Sequence, residues 1–164
     1  MGSDVKAIEY TPIGIIHSPF RDVEGAPIQP SGASEIMGTV EIEPHVEPGL
    51  KDLSGFSHII LIYHFHTSEG YALELKPFLD KTLRGVFATR APRRPNPIGL
   101  SVVRLLAVQG RTLHVQGLDV LDGTPLLDIK PFVPAFDAPH ADRIGWLSDK
   151  AQGAQDIRAD NRFK

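Results

Sequence analysis

The sequence predicts a mainly β protein, a barrel or a sandwich, with few and short helices. Three observations predict it. Fourteen prolines and fifteen glycines are scattered along 164 residues, and proline interrupts the hydrogen bonding of helices and of central strands alike. Between these breakers lie short runs of aliphatic and β-branched residues. Turn signals separate several of them, as at Gln109-Gly110-Arg111 and Asp122-Gly123, where glycine supplies the positive φ of a tight turn.

Taken in order, residues 13–17 and 38–43 read as the first two strands, and 58–66 (HIILIYHFH) as the longest. Residues 50–53 mark a turn between them. Residues 72–75 read as a short helix stopped by Pro77. Residues 85–89 read as a strand. Residues 100–108 and 112–118 read as a hairpin around Gly110, and 126–133 as the last strand. After Pro139 the chain offers a helix weakened by Gly145 and Gly153, or else a tail.

The length suits one domain plus a tail, and 41% apolar residues supply a core. No segment reaches the roughly 18 apolar residues of a membrane span. The first residues, MGSDVKAIEY, lack a secretory pattern, and zero cysteines exclude a disulfide framework or a thiolate site. A cytoplasmic protein is expected. There is no G-x-G-x-x-G and no G-x-x-x-x-G-K-[ST], so a doubly wound nucleotide fold is not expected; nor is there a G-x-S-x-G elbow.

Charge is uneven. The net is −3, yet Lys76, Lys81, Arg84, Arg90, Arg93 and Arg94 face only Asp80 within residues 76–94, a local +5 that leaves −8 elsewhere. Such a zone either steers an anion to one place or is a solvated basic loop. Within FATRAPRRPNPIGLS (87–101), Pro92, Pro95 and Pro97 fix φ near about −65° and push Ala91, Arg94 and Asn96 toward extended backbone. A segment ordered in advance carries no ordering cost when a ligand meets it. Arginine forks match carboxylate and phosphate. This stretch therefore reads as an anion-binding wall, or as an exposed proline-rich connection.

Two further groups stand out. His64 and His66 share one strand face, which suits a cleft or core histidine; a metal site would need ligands that the surroundings do not offer, so no metal is expected. In GLDVLDGTPLLDIKPFVP (117–134), Asp122 opens a turn whose backbone N–H groups it can cap. Asp128 and Lys130 point to one side of a strand. In so apolar a run they form either a structural ion pair or a site pair.

Four blocks, IGIIHSPF (13–20), GLKDLSGFSHIILIYHFH (49–66), GVFATRAPRRPNPIGLS (85–101) and GLDVLDGTPLLDIKPFVP (117–134), together resemble the TsaA/YaeB-like family, whose best-defined members are the TrmO tRNA methyltransferases. The resemblance covers residues 10–137. It implies a single compact β-barrel over residues 8–137, with 138–164 a C-terminal helix or tail, and a homodimer. It also implies S-adenosyl-L-methionine as cofactor and transfer RNA as partner, with methylation at N6 of threonylcarbamoyladenosine 37. Cofactor contacts carry over to Pro30, Ser31 and Gly32, to His66 and Thr67, to Arg90 and Leu100, and to Leu121, Asp122, Gly123 and Thr124. Many bacterial members continue into a C-terminal domain. This chain reaches Lys164 soon after the IKPFVP block and reads as a short form.

The residues agree with that chemistry. A cation beside a sulfonium opposes binding, so Arg90 is expected at the cofactor carboxylate. Arg93, Arg94, Asn96 and Lys130 are expected on the substrate side, the arginines at phosphate or the threonyl carboxylate, with Lys81 and Arg84 as further phosphate contacts. Tyr71, Phe87 and Phe132 are stacking platforms or core. His66 or Asp128 is expected to take the proton from the acylated nitrogen. Two alternatives keep parts of this reading: an S-adenosylmethionine-dependent methyltransferase of a small molecule, and a non-catalytic module that binds S-adenosylmethionine or anions.

Overall fold

A computed structural model describes residues 4–22, 34–148 and 150. Six strands close an antiparallel barrel in the order β1-β2-β7-β6-β3-β8. They are β1 (Gly14–His17), β2 (Met37–Ile42), β3 (His58–His64), β6 (Ile98–Gln109), β7 (Thr112–Gln116) and β8 (Thr124–Pro131). A two-stranded flap, β4 (Glu74–Leu75) with β5 (Arg84–Gly85), lies outside it. One α-helical turn, α1 (Pro134–Asp137), follows β8. A barrel is one of the two architectures the strand pattern allows and the one the family resemblance implies, and closure leaves the six barrel strands without a free edge.

Period-two patterning builds the interior. In β3, Ile59, Leu61 and Tyr63 are buried while their neighbours are half-exposed. Opposite them on β6, Ser101, Val103 and Leu105 turn inward. Ile16, Val40, Ile42, Leu113, Val115, Leu118 and Leu126 complete the core. Each fully buried aliphatic side chain contributes about 1.5–3 kcal/mol. Gly99 is required where it stands: a Cβ there would lie 2.6 Å from Tyr63 Cζ and 2.8 Å from Phe65 Cζ, distances that no methyl group tolerates.

The structure corrects three local readings. The long strand ends at His64, not 66: the Phe65 N–H still donates to its in-register partner, the Pro97 carbonyl, at 2.8 Å, but proline has no N–H to return the bond, and a turn follows. Residues 72–75 form no helix; Glu74–Leu75 is extended and pairs with Arg84–Gly85. Pairing as a strand lets Leu75 be buried with Val86, Ala91 and the flanking Phe78. The strand read at 85–89 shrinks to Arg84–Gly85 followed by a 3₁₀ turn, Val86–Ala88. There the Val86 carbonyl accepts both the N–H and the hydroxyl of Thr89.

The segment 44–50 is a 3₁₀ helix that the sequence reading did not contain, and a second 3₁₀ turn covers Leu53–Gly55. Beyond Pro139, Gly145–Leu147 is a 3₁₀ turn; most of the helix or tail read there lies outside the described residues. Trp146 docks this segment on the flap side, its indole N–H donating to the Ala88 carbonyl at 2.8 Å.

Candidate functional site

The loop 117–123 joins β7 to β8 and crosses one end of the barrel, where it is stitched to the end of β1. The Asp122 N–H donates to the Phe20 carbonyl at 2.6 Å, and the Gly123 N–H to the Ile16 carbonyl at 2.9 Å. The Ser18 N–H donates to Asp122 Oδ1 at 3.1 Å, and its hydroxyl to the Val120 carbonyl at 2.5 Å. Gly123 has φ 79°, the left-handed turn geometry that glycine accepts without strain. Asp122 thus caps a neighbouring strand rather than its own turn. The turn's N–H groups are spent internally, so what it offers a ligand is carboxylate and carbonyl oxygen. That surface suits an ammonium or hydroxyl donor.

Thr124, 2% exposed, begins β8 and faces inward. Its hydroxyl donates to the Leu121 carbonyl at 2.7 Å. His66 Nδ1 lies 3.3 Å from the Thr124 hydroxyl oxygen. The hydroxyl has one proton, and it is already given away. His66 must therefore donate from Nδ1, which leaves Nε2 with a free lone pair. Burial, then the neighbouring His64, pushes the His66 imidazole below its ordinary value. A neutral ring with a directed lone pair is a proton acceptor.

A second cluster escapes the sequence reading. Tyr63 and Ser101 both face the interior, with Tyr63 Oη 2.8 Å from Ser101 Oγ. Ser101 donates to Asp119 Oδ1 at 2.6 Å. Ser101 has one proton and gives it to the carboxylate, so Tyr63 donates to Ser101. Burial pushes the Asp119 carboxyl up to about 6, against opposing pulls from the Ser101 hydrogen bond and the Arg90 charge. Burial likewise pushes the Tyr63 phenol up. The signal was available: Ser101 is the polar residue among the inward positions Gly99, Ser101, Val103 and Leu105 of β6, and a buried hydroxyl needs a partner.

The proline-rich segment is irregular and held by its own side chains. Arg94 donates from Nη1 to the Thr89 and Ala91 carbonyls, both at 3.1 Å. Ser68 donates to the Pro92 carbonyl at 3.1 Å, and Ile98 N–H to the Asn96 carbonyl at 2.7 Å. The cations of the +5 zone therefore divide by task. Arg84 is bound to Asp80 and Arg94 braces its own loop. Arg90 lies within electrostatic reach of Asp119 and Tyr63 at the barrel end.

The remaining residues are dispersed. Leu100 is 49% exposed and points outward from β6, paired in register with Ile62. Thr67 lies in the turn after Phe65, beside His66. Asp128 pairs with Lys130 at 2.9 Å on the half-exposed outer side of β8, an ion pair that solvent screens. Asp128 is four residues along the strand from Thr124, about 13 Å. Pro30, Ser31 and Gly32 lie outside the described residues. Among the described residues no cluster of histidine and carboxylate could hold a metal, and no helix is long and apolar enough to cross a membrane.

These features define a class first: a closed six-stranded β-barrel with its polar chemistry at one end, under the β7–β8 loop. The family follows from comparison. Residues 15–138 match the tRNA-methyltransferase O N-terminal domain, and the chain belongs to that family. A Pyrococcus abyssi protein described as a probable S-adenosyl-L-methionine-binding protein is 54% identical over 154 residues, covering 94% of this chain and 84% of that one. The Mus musculus tRNA (adenine(37)-N6)-methyltransferase is 38% identical over 135 residues. That alignment covers 78% of this chain but 31% of the mouse enzyme. The crystal structure of TrmO from Pseudomonas aeruginosa superposes with a TM-score of 0.72 at 40% identity. It covers 86% of this chain, which spans 63% of that structure.

Proposed function

We propose that this chain is an S-adenosyl-L-methionine-dependent methyltransferase that methylates N6 of threonylcarbamoyladenosine at position 37 of transfer RNA. Its membership of the tRNA-methyltransferase O N-terminal domain family carries the reading. The donor set at the barrel end fits the cofactor. The Asp122 carboxylate suits an ammonium or hydroxyls and Arg90 suits a carboxylate, while Leu100, on the outer face of β6 and away from that cluster, is the proposed apolar contact. The remaining contacts of this reading are Pro30, Ser31, Gly32, His66, Thr67, Leu121, Gly123 and Thr124.

When bound, the cofactor supplies an electrophilic methyl group. The chain's part is to orient the acylated adenine nitrogen in line with it and to receive the proton that leaves. His66 is our choice of acceptor, through Nε2. Its fixed tautomer and lowered proton affinity support this. Asp128 is the other candidate, and its outward pairing with Lys130 favours it less. Arg93, Arg94, Asn96 and Lys130 are the substrate-side residues of this reading, with Arg94 serving it by bracing the loop that carries Arg93 and Asn96 and Lys130 reaching the substrate only by giving up Asp128; a cytoplasmic homodimer is the proposed form.

The test is incubation with methyl-labelled cofactor and transfer RNA that carries or lacks the threonylcarbamoyl group, followed by nucleoside analysis. Label in N6-methylated threonylcarbamoyladenosine is expected. Equal label in both RNAs would move the target to another base, and no label in either would overturn the reading.

A further inference from the structure

Outside the barrel, the β4–β5 flap and the proline-rich loop enclose a cleft of about 530 Å³. Lys76, Lys81, Leu83 and Arg93 line it, together with Glu74 and Asp80. The two acids do not balance the cations. Asp80 accepts both from Arg84 and from Lys150, the latter at 2.8 Å, and these hydrogen bonds hold its carboxyl well below the usual carboxylate range. Glu74 alone then faces three cations. Among the described residues no ion pair involves Lys76, Lys81 or Arg93, and Arg93 Nε is buried with no hydrogen-bond partner. A buried donor of that kind needs an acceptor.

The rim is apolar. Leu83 is 58% exposed, and Tyr71, one residue before the lining residue Ala72, is 59% exposed. Uncommitted cations in a cleft that also exposes an aliphatic side chain match the phosphate of a single-stranded nucleotide, which takes the charge. None of the residues lining the cleft belongs to the barrel-end cluster of Thr124, His66, Asp119 and Arg90.

We propose that this cleft binds a backbone phosphate of the RNA strand flanking the methylated nucleotide, with Lys76, Lys81 and Arg93 as its cations. The proposal rests on the transfer-RNA reading above. It makes the flap a docking element that holds the substrate strand while the barrel end does the chemistry. Arg84 and Lys150 act behind it, by keeping Asp80 from repelling the phosphate.

The test is transfer-RNA binding by wild type and by the double variant Lys76→Gln/Lys81→Gln across a salt series, with cofactor affinity measured by calorimetry. Two lost phosphate contacts should make the slope of log affinity against log salt shallower by about 1.4. Cofactor affinity and melting temperature should be unchanged, since both lysines lie outside the barrel. If wild type binds the RNA and the variant keeps the same slope, the cleft is not a phosphate site, while the methyltransferase reading stands. If wild type binds no RNA, the transfer-RNA reading fails and the cleft proposal with it. A variant that loses cofactor affinity as well would overturn the separation of the two sites.

Discussion

His66 and Thr124 meet through one oxygen: Nδ1 is 3.3 Å from a hydroxyl that already donates its proton to the Leu121 carbonyl. That arrangement selects one imidazole tautomer. It also ties the turn after β3 to the first residue of β8, so the ring's position depends on the β7–β8 loop.

Thr124→Val tests this. Valine keeps the shape and removes both hydrogen bonds. A stability loss of about 1–3 kcal/mol is expected, since the Leu121 carbonyl and the imidazole each lose a partner. Long-range proton–nitrogen spectra should show His66 as the Nδ1–H tautomer in wild type and as a mixture in the variant. The same Nδ1–H tautomer in both would mean that Thr124 does not set it.

The pH dependence of His66 follows from its lowered proton affinity. The folded state favours the neutral ring, so its share of stability is present above the ordinary value of about 6.5 and is lost as pH falls. If Nε2 receives the proton, kcat/KM should fall on the acid side with a midpoint below about 6.5. His66→Gln should remove that limb. A limb that persists in the variant would assign the role elsewhere.

Asp119 has the opposite sense. Its carboxyl titrates near about 6 in the fold against an ordinary value of about 3.9, because burial disfavours the anion. The protonated form favours folding. Its contribution is therefore complete below about 3.9 and is lost as pH rises to about 6. Asp119→Asn keeps an acceptor for Ser101 and cannot ionise. Wild type should lose up to about 3 kcal/mol relative to the variant between pH 4 and pH 7. Parallel stability curves would show that Asp119 is solvated.

How much of this was legible in the sequence depends on whether the signal was periodic. The inward alternation of Ile59, Leu61 and Tyr63 and the glycine turns at 110 and 123 carry the barrel's strands in plain view. The flap does not, because its strands are two residues each, and only Leu75 packing on Val86 and Ala91 makes them extended. At the site, the aspartyl turn and His66 were readable as chemistry-bearing positions. What no local pattern holds is their pairing across 58 residues. Nor does any show that Arg94 spends itself on its own loop, or that Asp119, Ser101 and Tyr63 form one chain of hydrogen bonds from three separate segments.

Gly99 links the core to that chain. Gly99→Ala would press a methyl group against the Tyr63 and Phe65 rings. Overpacking of this kind costs about 1–3 kcal/mol. Tyr63 should shift and weaken its bond to Ser101, so tyrosine absorbance should change along with denaturant stability. A variant as stable as wild type, with unchanged tyrosine spectra, would mean that the rings have room to move.

Asp80 joins the flap to the segment beyond α1. It holds Arg84 and Lys150, and both cations sit over the ring of Trp146, at 5.5 Å and 5.9 Å. Trp146 is the one tryptophan in the sequence, so its emission reports this junction alone. Asp80→Ala leaves Arg84 and Lys150 repelling one another and should release the segment from the flap. Emission should move to longer wavelength and iodide quenching should rise, while the barrel's melting temperature stays within a few degrees. High salt, which screens exposed charges, should move wild type only part of the way, because the indole bond to the Ala88 carbonyl remains. Unchanged emission in Asp80→Ala would show that this bond and the 3₁₀ turn suffice to hold Trp146, and that Asp80 serves the cleft alone.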